Sequence, residues 1–367
     1  MIGAGFMKVA SIFTMDKFSL VVAARLVSTV SMTLSIYFVI KIADKLFKDK
    51  EIYKILFVVF IAFQPITAFL ASYINNDSTA VLATTMIIYL WILGLESNWK
   101  TKHCVLLGLA IGFCALTYYN AYGYILCSII LCLVSVTSNK MKAKDVWQKI
   151  LIVGLIAITF AGWWFVRNAI LYNGDFLGMN SMYDCGEKYA MPGYQLSQRD
   201  TYQNQGISVF SMIFDTNWII TTIKSFICTT GYMQYMISGK RFCLYLIIIL
   251  FGMIMMLIAL KRKYQFKFKF ENYFIICLIL CVLIPIILSI KYSYSIDYQP
   301  QGRYIMSILI PIALFMSIGY EYFSEFIENK IQIKSRYIEL SMIGIYILLF
   351  VICYSSYIAV CFGSTII

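Results

Sequence analysis

Long apolar runs, separated by short polar connections, fill most of the sequence. A run of about 17 to 25 apolar residues is long enough to cross the hydrocarbon core of a bilayer as an α-helix, which satisfies its own backbone hydrogen bonds there. The pattern therefore predicts an all-α polytopic membrane protein with about ten spans. Their approximate ranges are 18–40, 53–72, 78–95, 104–118, 121–136, 150–168, 242–260, 272–290, 304–320 and 338–361.

Two parts of the chain depart from the alternation of spans and short loops. The fourth and fifth spans are shorter than the rest and meet at a polar turn over residues 118–123, which predicts a helical hairpin that is tilted or crosses only part of the bilayer. The other part is the polar stretch 171–240, in which residues 207–213 and 218–227 have the pattern of short interfacial helices. We expect one integral membrane domain, residues 1–367, with a small extracytoplasmic cap formed by residues 171–240.

Composition agrees with a membrane protein and excludes some kinds of catalytic and metal site. Hydrophobic residues make up 61% of the 367 positions and charged residues only 13%, which is far from the range of soluble domains. The single histidine, His103, lies in a lysine-bearing loop, so histidine-based triads and metal sites are excluded on the opposite face. Most of the 11 cysteines lie inside spans, and only Cys185 and Cys228 share the cap, where a disulfide between them is allowed.

Basic residues are concentrated in alternate loops and predict the orientation. Short cytoplasmic loops retain lysine and arginine, and one set of loops holds 19 of the 30 basic residues. These residues are Lys41, Lys45, Lys48, Lys50, Lys54, Lys100, Lys102, Lys140, Lys142, Lys144, Lys149, Lys261, Arg262, Lys263, Lys267, Lys269, Lys330, Lys334 and Arg336. We place this set in the cytoplasm and interpret the net charge of +12 as a topology signal, with no nucleic-acid partner.

The other set of loops brings three charged residues at span ends, Asp77, Arg167 and Arg303, to the outer face. An acid and two arginines at one membrane surface suggest a site for a lipid-linked phosphate. The same count of spans places Met1 outside without a signal peptide, and residues 1–17 have the pattern of an interfacial helix. We therefore expect that a first helix and a first outer loop are missing from this sequence.

Asp77 lies in a polar segment directly before the third span. One interpretation is that Asp77 or Ser78 caps that helix. The other is that the Asp77 carboxylate acts as a base or as a ligand of a divalent cation, while Asn75 and Asn76 bind hydroxyl groups. The sequence leaves both interpretations open.

Arg167 follows two tryptophans at the end of the sixth span, where an aromatic belt is expected. It either reaches to lipid headgroups or contacts a phosphate. The turn that follows, residues 172–175, is sharp and would hold Asp175 near Arg167.

Arg303 belongs to the polar segment before the ninth span. Pro300 suits the first turn of that helix, and Gly302 permits close approach to the backbone. Because a helix N-terminus is itself positive, Arg303 beside it predicts an anion site, flanked by Gln301 and Tyr304.

Several short motifs, in this order along the chain, resemble those of bacterial GT-C-type membrane glycosyltransferases. The motifs are Arg25–Ser28, Tyr73–Asp77, Trp163–Asn168 with Tyr172–Asp175, Lys224–Ile227 and Gln301–Tyr304. The likeness runs from about Asp16 to the end of the chain. More narrowly, the chain resembles a branch of that family with a Gln-Gly-Arg-Tyr signature.

The resemblance implies transfer of a sugar from a polyprenyl-phosphate donor to a cell-envelope glycan, lipid or protein, by direct displacement at the anomeric carbon. The family places a catalytic aspartate in a first outer loop, which has no counterpart here, and Asp16 matches no family pattern. Asp77 matches the second acidic position, and Arg303 matches the family's outer arginine. The implied site is Asp77 as catalytic carboxylate with the substrate-binding residues Arg303, Arg167, Asn76, Gln301, Tyr304 and Asp175. No cofactor is implied beyond a divalent cation, if the reaction uses one.

Two other functions stay open. A lipid-linked glycan flippase or transporter needs polar groups distributed through the membrane depth, and the sequence offers few. A catalytically silent remnant, which binds polyprenyl phosphate without turnover, follows if Met1 is the true start.

Overall fold

The computed structural model describes residues 2–48, 50–138, 143–231, 233–262 and 272–362, and these ranges are almost wholly helical. The α-helices are, in chain order, α1 (Ile2–Ala10), α2 (Lys17–Leu46), α3 (Glu51–Ala62), α4 (Pro65–Ser72), α5 (Asp77–Glu96), α6 (Thr101–Ala115), α7 (Gly123–Ser138), α8 (Ala143–Leu171), α9 (Met179–Tyr189), α10 (Val209–Asp215), α11 (Trp218–Cys228), α12 (Gly239–Lys261), α13 (Asn272–Ser295), α14 (Leu309–Ile331) and α15 (Ser335–Phe362). Short 3-10 helices cover Tyr119–Ala121, Leu196–Gln198 and Gly302–Ile308. The strands β1 (Thr229–Thr230) and β2 (Tyr235–Met236) pair antiparallel.

Each predicted span coincides with helical structure, so the all-α polytopic architecture is confirmed. Seven helices of the described ranges are long and apolar enough to cross a membrane, and α3 with α4 adds an eighth if the pair is one bent span. The predicted hairpin corresponds to α6 and α7, which have only 15 and 16 residues. The predicted interfacial helices 207–213 and 218–227 correspond to α10 and α11.

The second predicted span is broken. α3 ends at Ala62 and α4 begins at Pro65, with a bend of 55° between them. Proline has no N–H to donate and is well suited to start a new helix. Gln64, at the break, is buried; its Nε2 donates to the Phe226 carbonyl oxygen at 3.2 Å, and its Oε1 accepts from the Tyr346 hydroxyl. These contacts satisfy the Gln64 side-chain amide inside the bundle and tie the break to α11 and α15.

The described parts of the lysine-bearing connections lie at one end of the bundle, called here the lysine-rich end. Lys45, near the end of α2, pairs with Glu96 at the end of α5 at 2.7 Å. Lys50 pairs with Glu321 of α14 at 2.6 Å and lines the same cleft as Arg336 of α15. Five lysines of these connections lie outside the described residues, namely Lys140, Lys142, Lys263, Lys267 and Lys269.

The opposite end, called here the Asp77 end, holds the α4–α5 turn, the connecting segment 172–238 and the α13–α14 turn. The connecting segment is fixed to the end of α13: Trp218 Nε1 donates to Ser293 Oγ at 2.9 Å, and Tyr298 OH donates to the Thr216 carbonyl oxygen at 3.0 Å. These contacts place the segment 172–238 above the same turn that carries Arg303. The candidate residues must therefore be sought at this end.

Candidate functional site

The turn that leads into α5 is built by Asn75. Its Oδ1 accepts from the Ser78 backbone N–H at 2.8 Å, and its Nδ2 donates to the carbonyl oxygens of Leu70 at 2.7 Å and Tyr73 at 2.8 Å. An oxygen that accepts from a free N–H in the first turn of a helix is a cap. Asn75 therefore caps α5, and the interpretation of Asp77 or Ser78 as the cap is wrong.

Asp77 is the first residue of α5, and its side chain is only 3% exposed. Within the described part of the chain, its carboxylate forms no hydrogen bond and no ion pair, and Arg303 is the charged group that acts on it electrostatically. Burial of a carboxylate without hydrogen-bond partners is costly, so buried acids are normally paired. The helix dipole favours an acid in the first turn of α5, but this gives no reason for burying the carboxylate without a hydrogen-bond partner.

Arg303 is half-buried in the 3-10 helix Gly302–Ile308 that precedes α14. Its Nη2 donates to the Tyr304 hydroxyl at 3.1 Å, and its guanidinium carbon lies 5.0 Å from the centre of the Tyr304 ring. Its Nε is buried and has no acceptor among the described residues. A guanidinium held on one side with a donor left free on the other is suited to bind an anion.

Gly302 sets the position of Arg303 by direct backbone contact with α11. A Cβ atom added at Gly302 would lie 2.0 Å from the backbone nitrogen of Phe226 and 2.6 Å from the carbonyl carbon of Ser225. The sequence predicts a close approach at this glycine, and the structure confirms it. The approaching group is the Ser225–Phe226 backbone, which belongs to the motif Lys224–Ile227.

A chain of polar contacts runs from Arg303 to the connecting segment 172–238. The Tyr304 hydroxyl, which accepts from Arg303, donates to Gln299 Oε1. Gln299 Nε2 donates to Asp297 Oδ2 at 2.5 Å, and Arg199 forms an ion pair with the same oxygen at 3.4 Å. Sequence reasoning missed Gln299 and Arg199, because their partners are distant or lie in loops without periodic pattern.

Two tyrosines line the space between Asp77 and Arg303. Burial, followed by the negative charge of Asp77, raises the pKa of the Tyr73 phenol, while the positive charge of Arg303 opposes the shift. Burial also raises the pKa of Tyr118, with the charges of the same two residues acting in the same directions. Both hydroxyls therefore stay protonated at neutral pH and can donate hydrogen bonds beside the acid and the arginine.

A cleft of about 380 Å³ is lined by Tyr118 and by Asn76, the residue before Asp77 in the chain. Asn76, which is exposed, lies at its wall next to Tyr118, Tyr119, Tyr122 and Trp164. Aromatic faces with a few amide and hydroxyl groups form a surface that is partly apolar and partly hydrogen-bonding. A ring with polar substituents and apolar faces matches such a wall.

Within the described ranges Arg167 and Asp175 form no ion pair, and their closeness stays a prediction. Asp175 accepts from the backbone N–H groups of Ser181 at 2.8 Å and Met179 at 3.2 Å, and so closes the first turn of α9. The hydrogen bond from Ser181 is the main cause that lowers the pKa of Asp175. Arg167 is exposed at the end of α8 and lies over the ring of Trp164 at 5.1 Å, at the outside of the cleft.

The turn before Arg303 differs from expectation in two ways. Pro300 lies outside the helix, in an extended stretch that ends at Gln301, and the first helical residue is Gly302. The Gln301 side chain makes no hydrogen bond within the described ranges, and its backbone carbonyl accepts from the Tyr304 N–H at 3.2 Å. Arg303 thus follows the start of a 3-10 helix, where the first N–H groups are free as at any helix start.

The described residues contain no group of three or more histidine, cysteine, aspartate or glutamate side chains that could hold a metal ion. A divalent cation at Asp77 would therefore take its remaining ligands from water, amide oxygens or the substrate. The Asp16 carboxylate does not lie in such a group; it accepts from the Ser19 backbone N–H at 2.8 Å and caps α2.

Comparisons with known proteins give a family and a fold. The sequence matches the family model described as "Predicted membrane protein (DUF2142)" over residues 2–315. No curated protein matches it. Among solved structures, it is similar to ArnT from Cupriavidus metallidurans bound to undecaprenyl phosphate, with 12% identity, a TM-score of 0.51, and coverage of 87% of this chain and 49% of that chain. The apo state of the same ArnT has 12% identity, a TM-score of 0.36, and coverage of 87% and 66%.

The present chain spans about half the length of the undecaprenyl-phosphate-bound ArnT structure. At 12% identity the likeness concerns the fold. It confirms the GT-C-like architecture that the motifs predict.

Proposed function

The chain belongs to the DUF2142 family of predicted membrane proteins, and on this premise we propose that it transfers a sugar from a polyprenyl-phosphate donor to a hydroxyl group of a cell-envelope glycan, lipid or protein. The observation that carries the proposal is the juxtaposition of a buried, unpaired carboxylate, Asp77, and an arginine with a free donor, Arg303. The fold likeness to ArnT, which was crystallised with undecaprenyl phosphate, supports a polyprenyl phosphate as the ligand class.

Arg303 binds the phosphate of the donor in this proposal. Its half-buried guanidinium and the N–H groups at the start of the 3-10 helix supply donors for phosphate oxygens. The phosphate gains negative charge as the sugar leaves, and a positioned cation stabilises that charge in the transition state. Arg167, at the outside of the cleft, is the proposed second contact for the phosphate as the lipid enters.

Asp77 accepts the proton of the attacking hydroxyl. The acceptor oxygen forms a bond to the anomeric carbon while the bond from that carbon to the phosphate oxygen breaks, and the polyprenyl phosphate leaves with the bonding electrons. A single displacement of this kind inverts the anomeric configuration. Burial without partners suits the role, because a carboxylate free of hydrogen bonds is available to take a proton.

The cleft beside Asp77 is the proposed place of the sugar. Tyr118, Tyr119 and Trp164 offer aromatic faces for the apolar side of a pyranose, and Asn76 offers an amide for its hydroxyl groups. Tyr304, held by Gln299, keeps Arg303 in place beside this cleft. Following the positive-inside rule, we place the site on the outer face of the cytoplasmic membrane.

The test is the binding of undecaprenyl phosphate to the purified full-length chain in detergent. We expect Arg303→Ala to weaken binding by about 10- to 100-fold, the equivalent of one lost charge-assisted hydrogen-bonded contact of about 1.5–3 kcal/mol. Arg303→Lys should recover part of the loss, since the charge remains but the fork of donors does not. Microscale thermophoresis or scintillation proximity would measure both.

The matched control is Arg262→Ala. Arg262 also lies over an aromatic ring, that of Phe326 at 5.9 Å, but at the lysine-rich end. Its loss should leave binding unchanged. Undiminished binding by a folded Arg303→Ala protein, or an equal loss in Arg262→Ala, would remove the phosphate site.

A further inference from the structure

Two buried cysteines at the Asp77 end lie side by side. Cys228 is the last residue of α11 and Cys353 lies in α15; they are 7% and 4% exposed. Their thiols are within hydrogen-bonding reach of each other. Both line one cleft of about 260 Å³, together with Arg241 and Tyr235.

This pair differs from the other adjacent cysteines of the bundle. Cys277 Sγ donates to the Cys127 carbonyl oxygen at 3.7 Å, and Cys281 lies nearby, but these residues are deep in α7 and α13 and line none of the clefts described above. Cys228 and Cys353 instead open to a cleft that Arg241 also lines, so a small thiol reagent can approach them there.

The structure also corrects the pairing that the sequence allows. Cys185 is an exposed free thiol in α9, and Cys228 is free and buried. The neighbour of Cys228 is Cys353. The sequence places Cys353 inside the last predicted span, where a cysteine is expected to act as a small apolar residue.

We propose that Cys228 and Cys353 are a redox pair that forms a reversible disulfide. The thiolate of one of the two cysteines attacks a sulfur of an external disulfide, such as that of a thiol oxidoreductase, and one thiolate of the oxidant leaves. The thiolate of the other cysteine then attacks the sulfur of the first cysteine in this mixed disulfide and releases the second thiolate. The two cysteines lose two protons and two electrons, and the oxidant is reduced from one disulfide to two thiols.

The disulfide would restrain the end of α11, which packs against the 3-10 helix that carries Arg303. Cys228 lies two residues after Phe226, whose backbone contacts Gly302, and the disulfide would tie this end of α11 to α15. The inference concerns the thiols alone and stands whether or not the chain transfers sugars. If the Asp77 end faces outward, as proposed, the oxidising surroundings supply the oxidant.

The test counts free thiols in the purified full-length chain before and after treatment with oxidised glutathione. After denaturation, a maleimide label on each free cysteine is counted by intact mass; the reduced chain should carry 11 labels. We expect oxidation to remove two labels, without a glutathione adduct, from the wild type and from the controls Cys127→Ser and Cys185→Ser. Cys228→Ser and Cys353→Ser should lose at most one label, as a mixed disulfide with glutathione. Reduction should restore the labels.

Mass spectrometry of an unreduced digest of the wild-type chain should show a peptide pair that joins Cys228 to Cys353, and this readout needs no variant to fold. An unchanged label count in oxidised wild type would overturn the proposal. So would a bond from Cys228 to Cys185, or a loss of two labels that persists in Cys353→Ser.

Discussion

At the scale of single residues, Asn75 and Asp77 lie two positions apart and differ in role: Asn75 is structural, and Asp77 is the proposed catalytic residue. Asn75 makes three hydrogen bonds that shape the turn into α5, whereas Asp77 makes none within the described part of the chain. The sequence marks both as polar residues before a span and cannot tell which of them caps it, since either type is a good cap. The distinction depends on where each side chain points after the turn has formed.

Exchange of Asp77 for Asn should remove catalysis and spare the fold. The amide cannot accept the proton of the acceptor hydroxyl, and no hydrogen bond of the native fold is lost. We expect sugar transfer to fall at least about 100-fold, in line with removal of a general base, with unfolding free energy unchanged to within about 1 kcal/mol. Release of polyprenyl phosphate from a donor panel and thermal unfolding in detergent are the two measurements.

Asn75→Ala is the matched control, because it should do the reverse. Loss of the cap should lower the free energy of unfolding by about 1 kcal/mol while transfer persists. If Asp77→Asn lowers stability and keeps activity, Asp77 is structural and the assignment of the base fails.

At the scale of elements, the packing of α11 against the 3-10 helix Gly302–Ile308 decides where Arg303 lies. The sequence predicts both pieces, α11 as an interfacial helix and Gly302 as a point of close approach. It does not predict that they meet, because about 75 residues separate them and contacts at such separation leave no periodic pattern. The contacts of Gln64 at the break between α3 and α4 escaped prediction for the same reason, since its partners Phe226 and Tyr346 belong to distant elements.

Gly302→Ala should therefore separate the two elements. The added methyl group would lie 2.0 Å from the Phe226 nitrogen, so backbone must move. We expect a loss of about 1–3 kcal/mol in unfolding free energy, typical of overpacking, together with weaker binding of undecaprenyl phosphate. Thermal unfolding and the binding assay report the two effects.

Gly344→Ala is the comparison for that change. Gly344 lies in α15 with no atom within 4 Å of an added Cβ, so the exchange should be neutral or slightly stabilising through helix propensity. A Gly302→Ala protein that behaves like Gly344→Ala would show that the contact with α11 does not position the site.

At the scale of the whole molecule, the alternation of lysine-rich and lysine-poor connections agrees with the two ends of the bundle. Lys45, Lys50 and Arg336 meet at one end, and Asp77 and Arg303 at the other. Charge placement is predictable because each loop contributes independently to topology. The network of hydrogen bonds and one ion pair from Arg199 to Tyr304 could not be predicted from the sequence, because it joins a loop without periodic pattern to a turn.

The orientation of the bundle can be tested with two engineered cysteines in a Cys185→Ser, Cys243→Ser background, which removes the exposed cysteines of the described residues. Met191 lies in the connecting segment 172–238 and is 75% exposed, and Ile331 lies at the lysine-rich end and is 60% exposed. We expect a membrane-impermeant maleimide to label Met191→Cys in intact cells and Ile331→Cys only after permeabilisation. The opposite pattern would place Asp77 and Arg303 on the cytoplasmic face.

The bend at Gln64 has a consequence for the depth of the site. Helices α3 and α4 together contain 20 residues, a contour of roughly 30 Å, but the 55° turn shortens their reach along the axis of α3 to about 25 Å. The hydrocarbon core is about 30 Å thick. The bent pair α3–α4 therefore ends deeper in the membrane than a straight helix of the same length would. Asp77 follows only five residues after α4. We expect a local depression of the bilayer there, through which a lipid phosphate meets Arg303 without being lifted out of the leaflet.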